Sequence, residues 1–458
     1  MGEWADLFPE EVDMASFAGG VAQAGYVDRI RDLAPQRCLV VPVDVGKRTA
    51  VALVADHYGQ IVVAPFEFDL TVSGAGKLMT TITAVRQRVG AESVRVGVEA
   101  AGHYHQALAT TLRSNGFDVV ELNPYQVKLA RAQLGAARVK TDVRDCTAMV
   151  ELLVRGQGWP LHRQDGSMAE QVVWVAHRRR KLAAAQALGS QVHTLADLAF
   201  PGLTGCFTTG LEAKTLRMLL ATLPDPARVA AMSAEELVHH ARSHQVRMLR
   251  PKAAQVIAAA TEAMCVPDAQ RAAAACLLTA EVTVFDALQR DLAACDQRLA
   301  QLLPDTPAGV LTSIPGVGTL TASYYGAALG DPTRFANAGA AYRYSGLAPA
   351  SYESAGRRAA TVRISKVGSV ELRQAMIALG TGIALHHPDF AAYKRRLLDA
   401  GKKPMVATIA VAHRAHRLAF AVIRSQQPYD PAKWAVSTSA RQQRDRPAMA
   451  ADPATRAT

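Results

Sequence analysis

Between residues 38 and 122 the apolar positions fall into short β-branched runs that alternate with stretches of helical spacing. The run CLVVPVDV (38–45) meets a turn at Gly46 and Lys47. TAVALVA (49–55) follows, then a second turn over 56–59 and IVVAPFEF (61–68). Three consecutive strands in a meander are the simplest reading. The stretch GKLMTTITAVRQRV (76–89) has helical spacing and leads to a fourth strand, VRVGVE (94–99). A second helix is expected over 104–114 and a fifth strand at DVVEL (118–122). The order β-β-β-α-β-α-β is that of an α/β layered domain.

Downstream the pattern changes. Residues 165–305 are rich in Ala, Leu, Gln and Arg, and keep helical periodicity with few strand signals. The part from 272 to 303 predicts a long amphipathic helix, either a connector or one member of a coiled-coil pair. From Pro307 the chain is glycine-punctuated and mainly helical as far as Arg424, and a Pro-, Ser-, Gln- and Arg-rich tail follows. At 458 residues the chain exceeds one comfortable core. The expected divisions are a peripheral acidic extension (1–36), an α/β domain (37–165), a helical linker with a potential coiled coil (166–305), a mainly helical C-terminal domain (306–425) and a disordered tail (426–458).

Charge adds a partner class. The net charge is +11, although residues 1–36 carry seven Asp and Glu against two Arg, so the excess lies beyond Gln36. A surplus of this size suits a polyanion, because each neutralised phosphate releases condensed counterions. A merely basic surface gives the same count. The six cysteines contain no C-x-x-C pair and no Cys/His spacing of a tetrahedral zinc site, so they read as reduced, mostly buried thiols. No apolar run approaches the ~18 residues of a bilayer span, and a cytoplasmic protein with no membrane partner is expected.

Four carboxylates stand out. Asp44 sits near the end of the first strand, where an unpaired charge is expensive to bury. Glu99 closes the fourth strand, so if these strands are neighbours their C-terminal ends bring both acids together. Asp142 and Asp145 in KTDVRDC are three residues apart, on one face of a helix. Converging acids repel unless a divalent cation neutralises them, and an oxygen-only donor set suits Mg²⁺. Each acid taken singly is equally a cap or a surface residue.

The second half offers other chemistry. LTSIPGVGTLTASYYGAAL reads as two helical arms joined by a helix-hairpin-helix turn. Gly316 and Gly318 there permit close backbone approach, and the helix start can hold a phosphate. Such turns also occur without DNA. From 351 to 424 there are thirteen Lys and Arg against four Asp and Glu, including Arg357, Arg358, Arg363 and Lys366 near several serines. Serine is a poor nucleophile unless its proton is removed and cations stabilise the transition state. The run His177, Arg178, Arg179, Arg180, Lys181 falls on a predicted helix, where a solvated basic face is the plain reading.

The strand order is what an RNase H-like sheet requires. Asp44, Glu99 within VEAAGHY, the pair Asn123-Pro124 and KTDVRD at 140–145 resemble the RuvC-like domain of the DEDD insertion-sequence transposases. These are the "one-ten" family of bridge-RNA-guided serine recombinases. GLAPASYESAG and ISKVGSVELR are similar to their C-terminal transposase domain. The matched parts span about half of the chain. Ala101 stands where the family commonly has Thr, Ala355 where a Gly usually follows the serine, and Pro42 removes a ladder donor from the first strand.

The resemblance implies that Asp44, Glu99, Asp142 and Asp145 bind Mg²⁺ and that Ser354 is the nucleophile, with Ser351 a weaker match. It implies an enzyme that cuts and joins donor and target DNA through a phosphoserine link. The basic helix at 178–181 would contact a bridge RNA, and a dimer or tetramer would build its sites from different protomers. Two other readings compete: a RuvC-like structure-specific nuclease that uses water, and a non-catalytic nucleic-acid-binding scaffold.

Overall fold

β-branched residues crowd the strands because their stiff side chains pack well on a pleated surface, and alternation of those side chains sorts the first sheet into two cores. In the computed structural model the described residues are 26, 28–100, 102–135, 141–160, 166–350, 353–354, 357–358 and 363–433. They form two compact units, one of residues up to 163 together with 331–343, the other of 164–330 together with 344 onward.

The first unit holds a six-stranded mixed sheet. Its strands are β1 (Cys38–Val45), β2 (Thr49–Asp56), β3 (Ile61–Asp69), β4 (Ser93–Glu99), β5 (Asp118–Leu122) and the two-residue β6 (Trp159–Pro160), in the order β3-β2-β1-β4-β5-β6. β1 is central, antiparallel to β2 and parallel to β4, and β4 is parallel to β5. The helices are α1 (Val72–Val89), α2 (Tyr104–Ser114), α3 (Pro124–Gln133) and α4 (Asp142–Val154). α1 begins four residues before the expected 76, because the Thr71 hydroxyl accepts the Gly74 amide at 3.1 Å and caps the first turn.

One face of the sheet buries Leu39, Val41, Val43, Val96 and Val98 with Leu78 and Ile82 of α1 and Leu108 and Leu112 of α2. The other buries Val40, Leu53, Val120 and Leu122 with Val127 of α3 and Cys146, Met149, Val150 and Leu153 of α4. Both faces are covered, so β1 reads as a continuous apolar run. Pro42 is tolerated in this central strand because β1 keeps its parallel register with β4 there, while the register with β2 skips Val41 and Pro42. Ala101 lies outside the described residues.

The N-terminal extension is not wholly peripheral. Tyr26 and Ile30 are buried with Cys38, and the guanidinium of the buried Arg95 stacks 4.1 Å from the Tyr26 ring centre. Residues 1–25 lie outside the described part of the chain.

Among its described residues the second unit is helical apart from one small hairpin and a bridge between Pro349 and Ile364. It contains α5 (Gly166–Ala199), α6 (Lys214–Thr222), α7 (Pro226–Ala230), α8 (Ala234–Ser243), α9 (Arg250–Thr261), α10 (Asp268–Leu302) and α11 (Thr319–Leu329). After α12 (Ala338–Tyr344), which ends at the boundary, come α13 (Val370–His386), α14 (Pro388–Asp399) and α15 (Pro404–Ser425). The expected linker and C-terminal domain therefore share one unit, except for residues 331–343. The long helix expected from 272 to 303 forms as α10, and it packs along α5 of the same chain. Two segments, 268–305 and Pro404–Ser425, are long and apolar enough to cross a bilayer by length and composition, contrary to the expectation that none approaches that length. Both lie in packed pairs, α10 with α5 and α15 with α13.

Residues 426–433 are packed, unlike the expected disordered tail. The Tyr429 hydroxyl meets His387 Nε2 at 2.6 Å, and its amide donates to Ser313 Oγ at 2.8 Å. The rest of the tail is outside the described residues.

Candidate active site

Two neighbouring parallel strands end at the same level. Val43 and Val98 are register partners, so Asp44 and Glu99 follow side by side at the C-terminal ends of β1 and β4. Alternation puts Asp44 on the face of Val40, which packs against α4. It puts Glu99 on the face of Gly97, where a Cβ would stand 2.6 Å from Leu153 of α4. Glycine at 97 thus lets α4 lie close against the strand. Both acids are half-buried.

The other two acids are on the first turn of α4. The Thr141 hydroxyl accepts the Arg144 amide and caps this turn, leaving Asp142 exposed at the helix start and Asp145 buried. Negative side chains there are favoured by the positive end of the helix. Cys146, next along, donates its thiol to the Val51 carbonyl at 3.3 Å, and Val51 is the β2 register partner of Asp44. The thiol reports the local field: burial above all, then Asp44, Asp142 and Asp145, push its pKa up to about 12, against a hydrogen-bond effect of opposite sign. Three of the four acids therefore act on one buried atom. The arrangement draws Asp44, Glu99, Asp142 and Asp145 to one rim of the sheet without closing their oxygens onto one point. Among the described residues, the group whose ligand atoms all lie within 4.8 Å is a different one, His177, Asp291 and Cys295.

Arg131 is a residue that pattern reading missed. It projects from α3 and forms an ion pair with Asp145, whose side chain is 2% exposed. A charge so buried requires a partner. The only hint in the sequence is the presence of a cation on a helix that must pack beside α4.

In the second unit, Ser354 lies on a short strand rather than in a loop. β7 (Glu353–Ser354) pairs antiparallel with β8 (Arg357–Arg358), and Ser354 and Arg357 are register partners. The arm continues to its base through the Ala350 amide on the Arg363 carbonyl and the Ser365 amide on the Ala348 carbonyl. Arg363 and Lys366 are exposed at that base. Ser351 and Ala355 lie outside the described residues.

Other expected contacts are redirected. The arm before the IPGVG turn is a 3-10 helix, Pro307–Ser313, not an α-helix. Gly316 has φ +87°, and a Cβ on it would sit 2.2 Å from the Gly382 carbonyl oxygen of α13. Its glycine thus serves a backbone-to-backbone contact within the chain. Gly318 is open, at the start of α11, beside a cleft of about 400 Å³ lined by Thr312, Ser313 and His386.

On α5 most of the basic run makes contacts within the chain. Arg178 pairs with Asp296 and donates to the Tyr324 hydroxyl at 2.9 Å, and Lys181 pairs with Asp291 at 2.9 Å. Arg179 donates to the Glu371 carbonyl at 3.3 Å and lies over the Tyr324 ring. Arg180 is exposed.

Comparison with known proteins gives these units a lineage. A sequence model described as transposase, of the DEDD IS110 type, matches residues 41–201, and one described as transposase of the IS116/IS110/IS902 family matches 308–395. Together they cover more than half of the chain. The chain belongs to the IS110 family of transposases. An insertion element IS116 protein of 44.8 kDa from Streptomyces clavuligerus is 24% identical over 401 residues, 86% of this chain and 96% of that protein. An insertion element IS110 protein of 43.6 kDa from Streptomyces coelicolor is 25% identical over 304 residues, 65% of this chain and 74% of that protein. The pilin gene-inverting protein of Moraxella bovis is 30% identical over 141 residues, 30% of this chain and 44% of that protein. The chain thus spans less than half the length of that relative. In this IS110-family transposase, both Asp44 and Glu99 fall in the first matched segment, and Ser354 in the second.

Proposed function

We propose that this transposase is a Mg²⁺-dependent DNA recombinase of an insertion sequence, with a RuvC-like first unit and Ser354 as its nucleophile. The observation that carries the reading is the shared level of Asp44 and Glu99 on adjacent parallel strands, facing the helix whose first turn holds Asp142 and Asp145. Carboxylate oxygens are the donors that a hard cation takes, so the four acids fit Mg²⁺ in kind and would hold it. When bound, the ion supplies Lewis-acid polarisation of a phosphate and stabilises developing charge.

The chain's own groups do the rest. The Ser354 hydroxyl gives up its proton as its oxygen bonds to phosphorus, and the bond from phosphorus to one sugar oxygen breaks. One strand end leaves as a hydroxyl and the other stays on the serine. Attack by a sugar hydroxyl on that link reverses the chemistry and frees Ser354, so strands rejoin without ATP. Arg357, beside Ser354 in register, and Arg358, Arg363 and Lys366 of the same arm would neutralise the phosphate. In this reading Ser354 of one protomer serves the acids of another, in a dimer or tetramer holding donor and target DNA. Gly318 at its helix start would hold a backbone phosphate of that DNA in a helix-hairpin-helix turn, with Gly316 shaping the turn. A bridge RNA would select the target by base pairing, with Arg180 of α5 as its exposed contact and Arg178, Arg179 and Lys181 shaping that surface.

Ser354→Ala tests the scheme in a supercoiled-plasmid assay with Mg²⁺. The expected result is loss of strand transfer and of any protein–DNA adduct, with DNA binding retained. Continued cleavage by Ser354→Ala would identify a water-using nuclease and sink the serine mechanism. Asp44→Asn combined with Asp142→Asn should abolish Mg²⁺-dependent cleavage, and activity surviving that change would sink the metal assignment.

A further inference from the structure

Away from the acids of the sheet, the α5 and α10 helices bring three ligand types together. His177 on α5 faces Asp291 on α10, with Nε2 to Oδ2 at 3.2 Å. Cys295 lies one turn beyond Asp291 on the same face of α10. The imidazole nitrogen, the carboxylate oxygen and the thiol sulfur all lie within 4.8 Å of one another. No function described so far uses this cluster.

We propose that His177, Asp291 and Cys295 form a site for a borderline-soft divalent cation of the Zn²⁺ class, which ties α5 to α10.

The donor set decides the class. Nitrogen, oxygen and sulfur ligands together suit Zn²⁺ and reject Mg²⁺, which takes oxygen. Bond lengths of 2.0–2.3 Å in a tetrahedron put ligand atoms roughly 3.4–3.6 Å apart, so closing the cluster needs only rotamer-scale movement. Two of the ligands are set beforehand. Lys181 and His177 both reach the Asp291 carboxylate, at 2.9 and 3.2 Å, and fix it in the cluster. Cys295 is fully buried, and unlike Cys146 and Cys206, whose thiols donate to backbone carbonyls, it has no hydrogen-bond acceptor among the described residues. A hydrogen-bond network explains His177, Asp291 and Lys181, but it gives this thiol nothing to do.

Lys181 is the competitor. Its ammonium is 2.9 Å from Asp291, and its side chain is about one-third exposed, so it can swing to water when a cation arrives. Binding then forms the sulfur–metal bond as the Cys295 thiol releases its proton, and leaves the fourth position for water. The sequence hid the site because its ligands come from two helices, 114 positions apart, rather than from one short motif.

Co²⁺ titrated into the full-length protein tests this, because a thiolate ligand gives an intense sulfur-to-cobalt absorption that oxygen ligands lack. The expected result is one equivalent of Co²⁺ showing that band, displaced by Zn²⁺. The band should vanish in Cys295→Ser and survive in Cys265→Ser, Cys276→Ser and Cys146→Ser. Lys181→Met should tighten Co²⁺ binding by about tenfold, the size of one neighbouring charge. Zn²⁺ should raise the melting temperature of the wild type and of Lys181→Met, and leave Cys295→Ser unmoved. Absence of a thiolate band in wild type and Lys181→Met alike, or a band that persists in Cys295→Ser, would overturn the site.

Discussion

At the scale of single residues, burial and charge decide which contacts matter. Asp145 and Arg131 bury an ion pair between α3 and α4, with side chains 2% and 12% exposed. Removing one partner strands the other in a low-dielectric site, a loss of about 3–5 kcal/mol. Arg131→Met should therefore lower unfolding stability by that order in urea titrations, and the same change in an Asp145→Asn background should cost far less. Equal losses in both backgrounds would mean that Arg131 matters by packing alone. Asp145 was legible in the sequence as half of a three-residue pair of acids on a helix. Arg131 was not, because nothing local couples it to Asp145, fourteen positions away on another helix. Gly316 was legible as a turn glycine, yet its reason differs from the expected one: a Cβ there collides with the backbone of α13.

Elements follow the periodicity closely where one face is apolar. The strands β1 to β5 and the helix Tyr104–Ser114 form where alternation and helical spacing predict them, because a one-residue slip would turn every core side chain outward. The α5 and α10 pair shows which force holds long helices together. Glu170 and Arg298 make a bidentate ion pair, but both side chains are 39% exposed, so solvent screens it and it adds little to stability. Leu278 of α10 is fully buried in the helical core, where truncation costs about 2–5 kcal/mol. Denaturation of Leu278→Ala should show a loss several times that of Glu170→Gln. The reverse ranking would mean that the charged ladder, not the apolar seam, sets the register. Periodicity predicts that α10 exists; its partner was open, since a seam of this kind serves a second chain as well as a second helix.

For the whole molecule, the excess of eleven positive charges predicts how it meets DNA. Each phosphate contact adds close to one unit to the slope of log affinity against log salt, so binding to duplex DNA should weaken by at least about tenfold between 50 and 200 mM salt. Filter binding across that range would check it, and a flat response would remove the polyanion argument. Sequence alone marked out the α/β domain and the helical remainder, and offered the four acids and Ser354 as candidates by resemblance, because each is a local pattern or an ordered motif. Only the folded chain decided that Asp44 and Glu99 end at one level, since strand adjacency depends on a crossover that no local pattern encodes. It also decided that Arg178 and Lys181 of α5 pair with α10 acids, and that His177, Asp291 and Cys295 meet. Such encounters join residues more than a hundred positions apart, where packing of whole helices rather than neighbouring residues fixes who faces whom.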